Sequence, residues 1–268
     1  MISNPNNPTI RQIRKLRKRR ERERRRQMIV EGHRALAVAL RSKTDVTRVL
    51  HTRSATTKRG DLLRDARARG ATVLEVSPAV MSSLTSVETA PDVLGITSMP
   101  ACSLEEAVAA FGLGAVLAGV RDPATAGSIL SSCAAAGGAV AIATAGTTDL
   151  FAPKPVRSAA GAHFVLAIAP DVSPEDCAAA LRSAGVRVVA VDPEGPAPEA
   201  AALDVPLAVL VSGEGTVPPE MTDAVTERAG AGAAGSPIRP SVAAEAAVVL
   251  FSAARRRRAG PTLPRGDG

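Results

Sequence analysis

The sequence predicts an α/β protein built from two successive series of strands and helices, and three observations carry that expectation. Short β-prone runs alternate with helical stretches across 28–100, the pattern of a small mixed unit. A second series opens at Ala115 to Val120, an unbroken apolar run of the kind a parallel strand shows when both of its faces are covered. The third observation is bulk: 268 residues, 46% of them hydrophobic, can bury a core, yet no charge-free apolar run reaches the roughly 18 residues that span a bilayer.

Taken in order, Asn4-Pro5-Asn6-Asn7-Pro8 is turn-forming, and Asn7 or Thr9 can cap a helix in which Ile10, Ile13 and Leu16 recur at helical spacing. Residues 17–27 show no apolar face, so a helix is expected there only where a partner neutralises its charges. Strands are expected at 28–30, 47–51, 71–76 and 92–97, with helices over 34–41 and 61–69 and a short one opened by Pro78. Residues 101–114 read as a connection with a short helix. The second series runs as strand 115–120, helix 125–136, strands 139–144 and 164–168, helix 174–183, strands 186–191 and 207–211, and helices 219–228 and 241–256. The domain reading is a basic arm over 1–27, a small RNA- or substrate-binding α/β unit over 28–100, a linker over 101–114, a larger α/β domain over 115–258 and a disordered tail over 259–268.

Charge is confined to the ends. Arg11 to Arg26 holds 11 basic and two acidic residues, a local +9, and Arg255 to Arg258 adds +4; the total is +7, so the rest of the chain stands at −6. Such a field attracts polyanions by Coulomb energy and counterion release, and nucleic acid is the expected partner, although phospholipid headgroups or plain solvation would use the same charges. With no Trp, no Tyr and only four Phe, the chain lacks the aromatic platform of single-strand binders. RNA would be held through phosphates, 2′-hydroxyls and arginine planes. Three widely spaced cysteines, an odd number without C-x-x-C spacing, and three scattered histidines suggest neither zinc nor a disulfide framework; a reduced cytoplasmic protein, with no membrane and no metal, is expected.

Two motif readings fail on context. Gly230 to Gly235 spells G-x-G-x-x-G, but a helix is expected before it and Ser236-Pro237 follows, so a flexible loop is favoured over a dinucleotide fingerprint. Glu105-Glu106 reads as a solvated helix face.

Four segments carry chemistry: Asp122-Pro123-Ala124-Thr125-Ala126-Gly127-Ser128-Ile129-Leu130; the run from Thr148 to Phe164 with its Pro153-Lys154-x-x-Arg157-Ser158-x-x-Gly161-x-x-Phe164 core; Val209-Leu210-Val211-Ser212-Gly213-Glu214-Gly215; and the alanine-rich last helix ending Val248-Val249-Leu250-Phe251. In this order they resemble the SpoU/TrmH branch of the SPOUT RNA 2′-O-ribose methyltransferases. Asn7-Pro8-Thr9-Ile10 and Val30-Glu31-Gly32 add the entry to that family's small ribosomal-protein-like domain, so the likeness covers about 5–256.

The resemblance implies a C-terminal trefoil-knotted α/β domain, a homodimer, S-adenosylmethionine as methyl donor and RNA, with ribosomal RNA expected, as substrate. It assigns Leu210, Val211, Ser212, Gly213, Glu214, Gly215 and Ile238 to the cofactor, and Glu214, Ser131, Arg239 and Ser241 to catalysis. RNA contacts fall to Arg14, Arg17, Lys18, Arg19, Arg20, Lys154, Arg157 and His163. The chain departs from the family where Asn is Thr125, where an Arg that helps deprotonate the hydroxyl is Ser131, and where S-L-N is Arg239-Pro240-Ser241; glycine and alanine replace the methionine-containing cofactor loop. Serine at 131 carries no positive charge, which gives Arg239 a candidate role in restoring it. A second reading stays open: a catalytically silent RNA-binding relative that has lost its cofactor.

Overall fold

A computed structural model describes residues 1–204, 206–213, 215–231 and 238–259, with side chains to 257. It divides into two compact units, residues 1–100 with 149–165, and 101–148 with 166–268.

The first unit starts with a helical hook, α1 (Pro8–Lys15) and α2 (Arg19–Arg25). Asn7 accepts the Thr9 N–H at 2.9 Å and Pro8 opens α1, the expected cap. Ile10, Ile13 and Leu16 are buried against Val76, Val80, Met81 and Leu84, so the hook is part of this unit's core rather than a solvated arm. Then come β1 (Gln27–Glu31), α3 (His33–Arg41), β2 (Val46–His51), α4 (Arg53–Lys58), α5 (Gly60–Ala68), β3 (Thr72–Glu75), α6 (Pro78–Leu84) and β4 (Val93–Ser98). The sheet order is β1-β4-β2-β3, with β4 antiparallel to both neighbours and β2 parallel to β3.

In the second unit α7 (Leu104–Ala109) starts with a capping box between Ser103 and Glu106, and Ala107 is buried in the core. Residues 101–114 are thus a packed element, not a linker. There follow β5 (Leu113–Ala118), α8 (Pro123–Ala135) and β6 (Val140–Thr144). The chain then leaves for 149–165, whose helix α9 (Pro153–Ser158) belongs to the first unit, and returns as β7 (Ala167–Val172). It continues through α10 (Pro174–Ser183), β8 (Arg187–Val191), β9 (Leu207–Ser212), β10 (Glu227–Ala229) and α11 (Val242–Ala259). The six strands are all parallel, in the order β10-β8-β9-β5-β6-β7. Val116, Ile142, Val188 and Leu210 join α7 and α10 in a core on one face. After β10, at the sheet edge, the chain comes back to lay α11 on α8 and over β5, β8 and β9. The parallel sheet flanked by helices is the α/β architecture expected for this part of the chain.

Two element expectations are corrected. Residues 219–228 are a 3-10 turn (Pro219–Ala224) that buries Met221 and Ala224, followed by β10; Val225 and Thr226 end the helical spacing, and Thr226 N–H donates to Val188 O at 2.8 Å. The apolar run read as a strand at 164–168 is split, since Phe164 closes a 3-10 turn and β7 starts only at Ala167. That turn hangs on Gly161, at φ 105, where a Cβ would sit 2.9 Å from Val38 of α3. A tail expected over 259–268 lies, from Gly260 onward, outside the described residues.

Candidate functional site

In the parallel sheet the chain steps from β5 through β6 to β7 on one side, then places β8 and β9 on the other. Strand order reverses at β5, and loops leaving the carboxyl ends there diverge and leave a crevice. The structure has one of about 320 Å³ at that place, lined by Ala118, Gly119, Arg121, Thr144, Ala145, Gly146, Pro174 and residues 216–219. Its walls are built locally. Asp122 caps α8, accepting the Thr125 N–H at 2.7 Å, with Pro123 in the first turn. Thr147 Oγ1 accepts the Gly119 N–H at 3.1 Å and donates to Leu117 O at 2.8 Å, which ties the loop after β5 to the loop after β6. Gly213 N–H donates to Ala118 O at 2.9 Å. A Cβ on Gly213 would fall 2.0 Å from Gly119 O, so the loops after β5 and β9 meet backbone to backbone.

The side chains at the strand ends are small, which leaves room for a ligand. Pro218, Pro219 and Val217 add an apolar wall, and among the described lining residues Arg121 brings the charge. The lining is mixed, with polar and apolar surface in about equal share, and suits a small molecule that carries both. Among the described residues no cluster of His, Cys, Asp and Glu could hold a metal ion, and no helix is long and apolar enough to cross a membrane.

Of the residues assigned to the cofactor, Leu210, Val211 and Ser212 are buried in β9, where Ser212 pairs in register with Ala118; Gly213 and Gly215 follow, exposed. Glu214 lies outside the described residues. Ile238 is 79% exposed and does not line the crevice. Of the catalytic set, Ser131 is half-buried on α8, Ser241 is exposed and bonds the Ala244 N–H, and Arg239 is exposed in an ion pair with Glu194. None of these three lines the crevice, and Arg239 pairs with a carboxylate of the same unit. The G-x-G-x-x-G run follows a strand, β10, and not a helix; its Gly230 is needed because a Cβ would meet Asp192 O at 2.2 Å, and 232–237 lie outside the described residues.

The basic residues expected to meet RNA separate into exposed and structural ones. Arg17, Lys18, Arg19 and Arg20 are exposed on the hook, Arg19 in an ion pair with Glu23 at 2.7 Å. Arg14 is half-buried and donates to Pro5 O and Ser83 Oγ, both at 2.9 Å. Within the same run Arg22, its side chain 3% exposed, donates to Leu16 O and Arg17 O and ion-pairs with Asp149, which explains how a helix stands without an apolar face. Lys154 is exposed, and Arg157 bonds Glu31 at 2.7 Å. His163 is corrected: it is 1% exposed, with Nε2 against Leu150 O at 2.7 Å and its ring edge-on to Phe151. Burial pushes its pKa down to about 4. An imidazole so enclosed cannot reach RNA.

Sequence reasoning passed over Arg121 and Thr144. The available signal was positional: Arg121 follows, and Thr144 ends, a run read as a strand, and ligands of parallel sheets bind at such carboxyl ends.

Two family models match successive parts of the chain. Residues 7–95 match the family model for the MRM3-like substrate binding domain, and 112–229 match that for the SpoU rRNA Methylase family. A curated relative, the mitochondrial rRNA methyltransferase 3B of Danio rerio, is 46% identical over 54 residues; the match spans 20% of this chain and 12% of that protein. Among solved structures, the AdoMet-bound rRNA methyltransferase of Sinorhizobium meliloti has a TM-score of 0.79 and 26% identity, covering 95% of this chain and 97% of that one. The SpoU methyltransferase AviRb of Streptomyces viridochromogenes, also with AdoMet, has a TM-score of 0.79 at 25% identity over 95% and 100%.

Proposed function

Because the chain belongs to the SpoU/TrmH family of RNA methyltransferases, we propose that it transfers a methyl group from S-adenosylmethionine to a ribose 2′-hydroxyl of ribosomal RNA. The observation that carries this reading is the crevice at the strand-order reversal, whose residues suit such a donor. Ala118, Gly119, Ala145 and Gly146 leave room for a nucleoside, and Val217 to Pro219 give it an apolar wall. Bound there, S-adenosylmethionine supplies a methyl group on a positively charged sulfur.

The chain's own task is to make the hydroxyl nucleophilic. A ribose hydroxyl keeps its proton near neutral pH, so the site must stabilise the charge that develops on oxygen as the proton leaves. Position 131 is a serine, which carries no charge, and Arg121 lines the crevice; we assign the stabilising charge to Arg121. To Glu214, which lies outside the described residues, we assign the task of fixing the cofactor loop. Exposed Arg17, Lys18, Arg20 and Lys154 add salt-dependent affinity for RNA. The active species is a homodimer in the cytoplasm: Val248 and Phe251 expose apolar surface one turn apart on α11, and the three cysteines are free thiols.

Isothermal titration tests the donor site. S-adenosylmethionine is expected to give a saturable heat, which Ala145→Phe, filling the crevice, abolishes. No heat at millimolar donor, with and without RNA, overturns the reading.

A further inference from the structure

A second cleft, of about 370 Å³, lies within the first unit at the turn from β1 into α3, lined among others by Glu31, His33, Arg34, Thr89, Arg157 and Ala160. Its floor holds an unusual group. The Glu31 side chain is 2% exposed; Oε2 accepts from Arg157 Nη1 at 2.7 Å, while Oε1, equally buried, has no hydrogen-bond partner. A carboxylate that only had to hold Arg157 would need one oxygen. The other is an acceptor kept from water and waiting for a donor, and a buried acceptor left open is costly unless something fills it. Arg34 stands exposed on the rim, with His33 beside it.

A guanidinium next to a shielded carboxylate oxygen suits a ligand with an anion at one end and an N–H or O–H at the other. A nucleotide has both: its phosphate pairs with arginine, and its base edge or ribose hydroxyl donates to a carboxylate. In a duplex the base edges are consumed by pairing; an unpaired nucleotide presents them. We propose that this cleft is the subsite for one unpaired nucleotide of the RNA, with its phosphate on Arg34 and its base or ribose donor on Glu31. Only the naming of that RNA as the methylated substrate rests on the reaction proposed above. One wall of the cleft, Arg157 and Ala160, belongs to 149–165, and only Thr147 and Thr148 separate that segment from crevice-lining Gly146.

Fluorescence anisotropy on the full chain tests this, with a short labelled single-stranded RNA and the same sequence as a duplex, at one salt concentration. Arg34→Ala and Glu31→Gln are each expected to weaken single-strand binding about 10-fold and duplex binding by less than about twofold. Arg20→Ala, on the exposed side of the hook, is expected to weaken both alike. Glu31→Gln keeps an oxygen for Arg157, and thermal denaturation verifies that it folds; Arg34→Ala changes a surface residue. The proposal is overturned if both variants stay within about twofold of wild type on single strands, if they lose single strand and duplex equally, or if wild type does not prefer the single strand. Wild-type titration with S-adenosylmethionine is run alongside: a missing heat there sinks the methyl-donor reading and leaves the nucleotide subsite to stand or fall on the RNA data.

Discussion

Gly213→Ala probes the crossing on which the crevice is built. The added Cβ would stand 2.0 Å from Gly119 O, 2.6 Å from Gly119 C and 2.9 Å from the Val120 Cα. Every one of these atoms is backbone, in the short connection between β5 and α8, so relief requires moving the chain by about 1 Å and not turning a side chain. Overpacking by one methyl costs about 1–3 kcal/mol, and the absence of a soft neighbour puts this case near the upper end. For a chain of this size about 3 kcal/mol lowers Tm by roughly 6–12 °C. Gly60→Ala is the control: no atom lies within 4 Å of its Cβ and it opens α5, so stability should hold or rise by up to about 1 kcal/mol. Thermal denaturation by circular dichroism reads both. A Gly213→Ala protein melting within about 2 °C of wild type would refute the close-approach reasoning. Donor binding should weaken with stability, because Gly119 lines the crevice.

Arg22→Ala strands Asp149 and two hook carbonyls and should cost about 3 kcal/mol in urea unfolding; a loss under about 1 kcal/mol would mean that the pair is dispensable. His163 stays neutral in the fold down to about pH 4 but takes its proton near pH 6.5 when unfolded, so the unfolded state binds more protons between those values. Stability is therefore full above pH 6.5 and falls by up to about 3 kcal/mol as pH drops toward 4; His163→Gln should flatten that slope in a pH series of unfolding curves. Burial holds the Cys133 and Cys177 thiols up at about 12, so a thiol reagent at neutral pH should modify at most half-buried Cys102 in the native protein and all three cysteines after denaturation. Arg121→Ala should lower methyl transfer about 100-fold or more while donor affinity holds; an unchanged turnover would remove it from the reaction.

Much of the architecture was legible because burial writes itself into local pattern. The central strands β5 and β9 read as apolar runs since both faces are covered, and α8 and α10 begin at Asp-Pro and Ser-Pro caps. What escaped was non-local. Arg22 sits in a run of identical charges, and nothing nearby marks it as the one whose partner lies 127 residues on. The transfer of 149–165 to the first unit depends on tertiary pairs, Arg157 with Glu31 and Gly161 against Val38, that no window of sequence contains. β10 hid behind Met221 and Ala224, whose spacing mimics a helix. The crevice was half legible: motif matching reached the end of β9, but the wall at Thr144 to Gly146 is made by small side chains with no chemical label. The last helix was legible as an element, but its return onto α8 and over β5, β8 and β9 is a tertiary fact that no periodicity contains.

The proposed reaction is tested most directly by incubating the purified protein with methyl-labelled S-adenosylmethionine and unmodified ribosomal RNA, then hydrolysing the RNA with alkali. A 2′-O-methyl group blocks the neighbouring phosphodiester from cleavage, so the label is expected in an alkali-resistant dinucleotide and should disappear with Ala145→Phe. Label on a base, or none transferred to RNA by a folded protein, would contradict it.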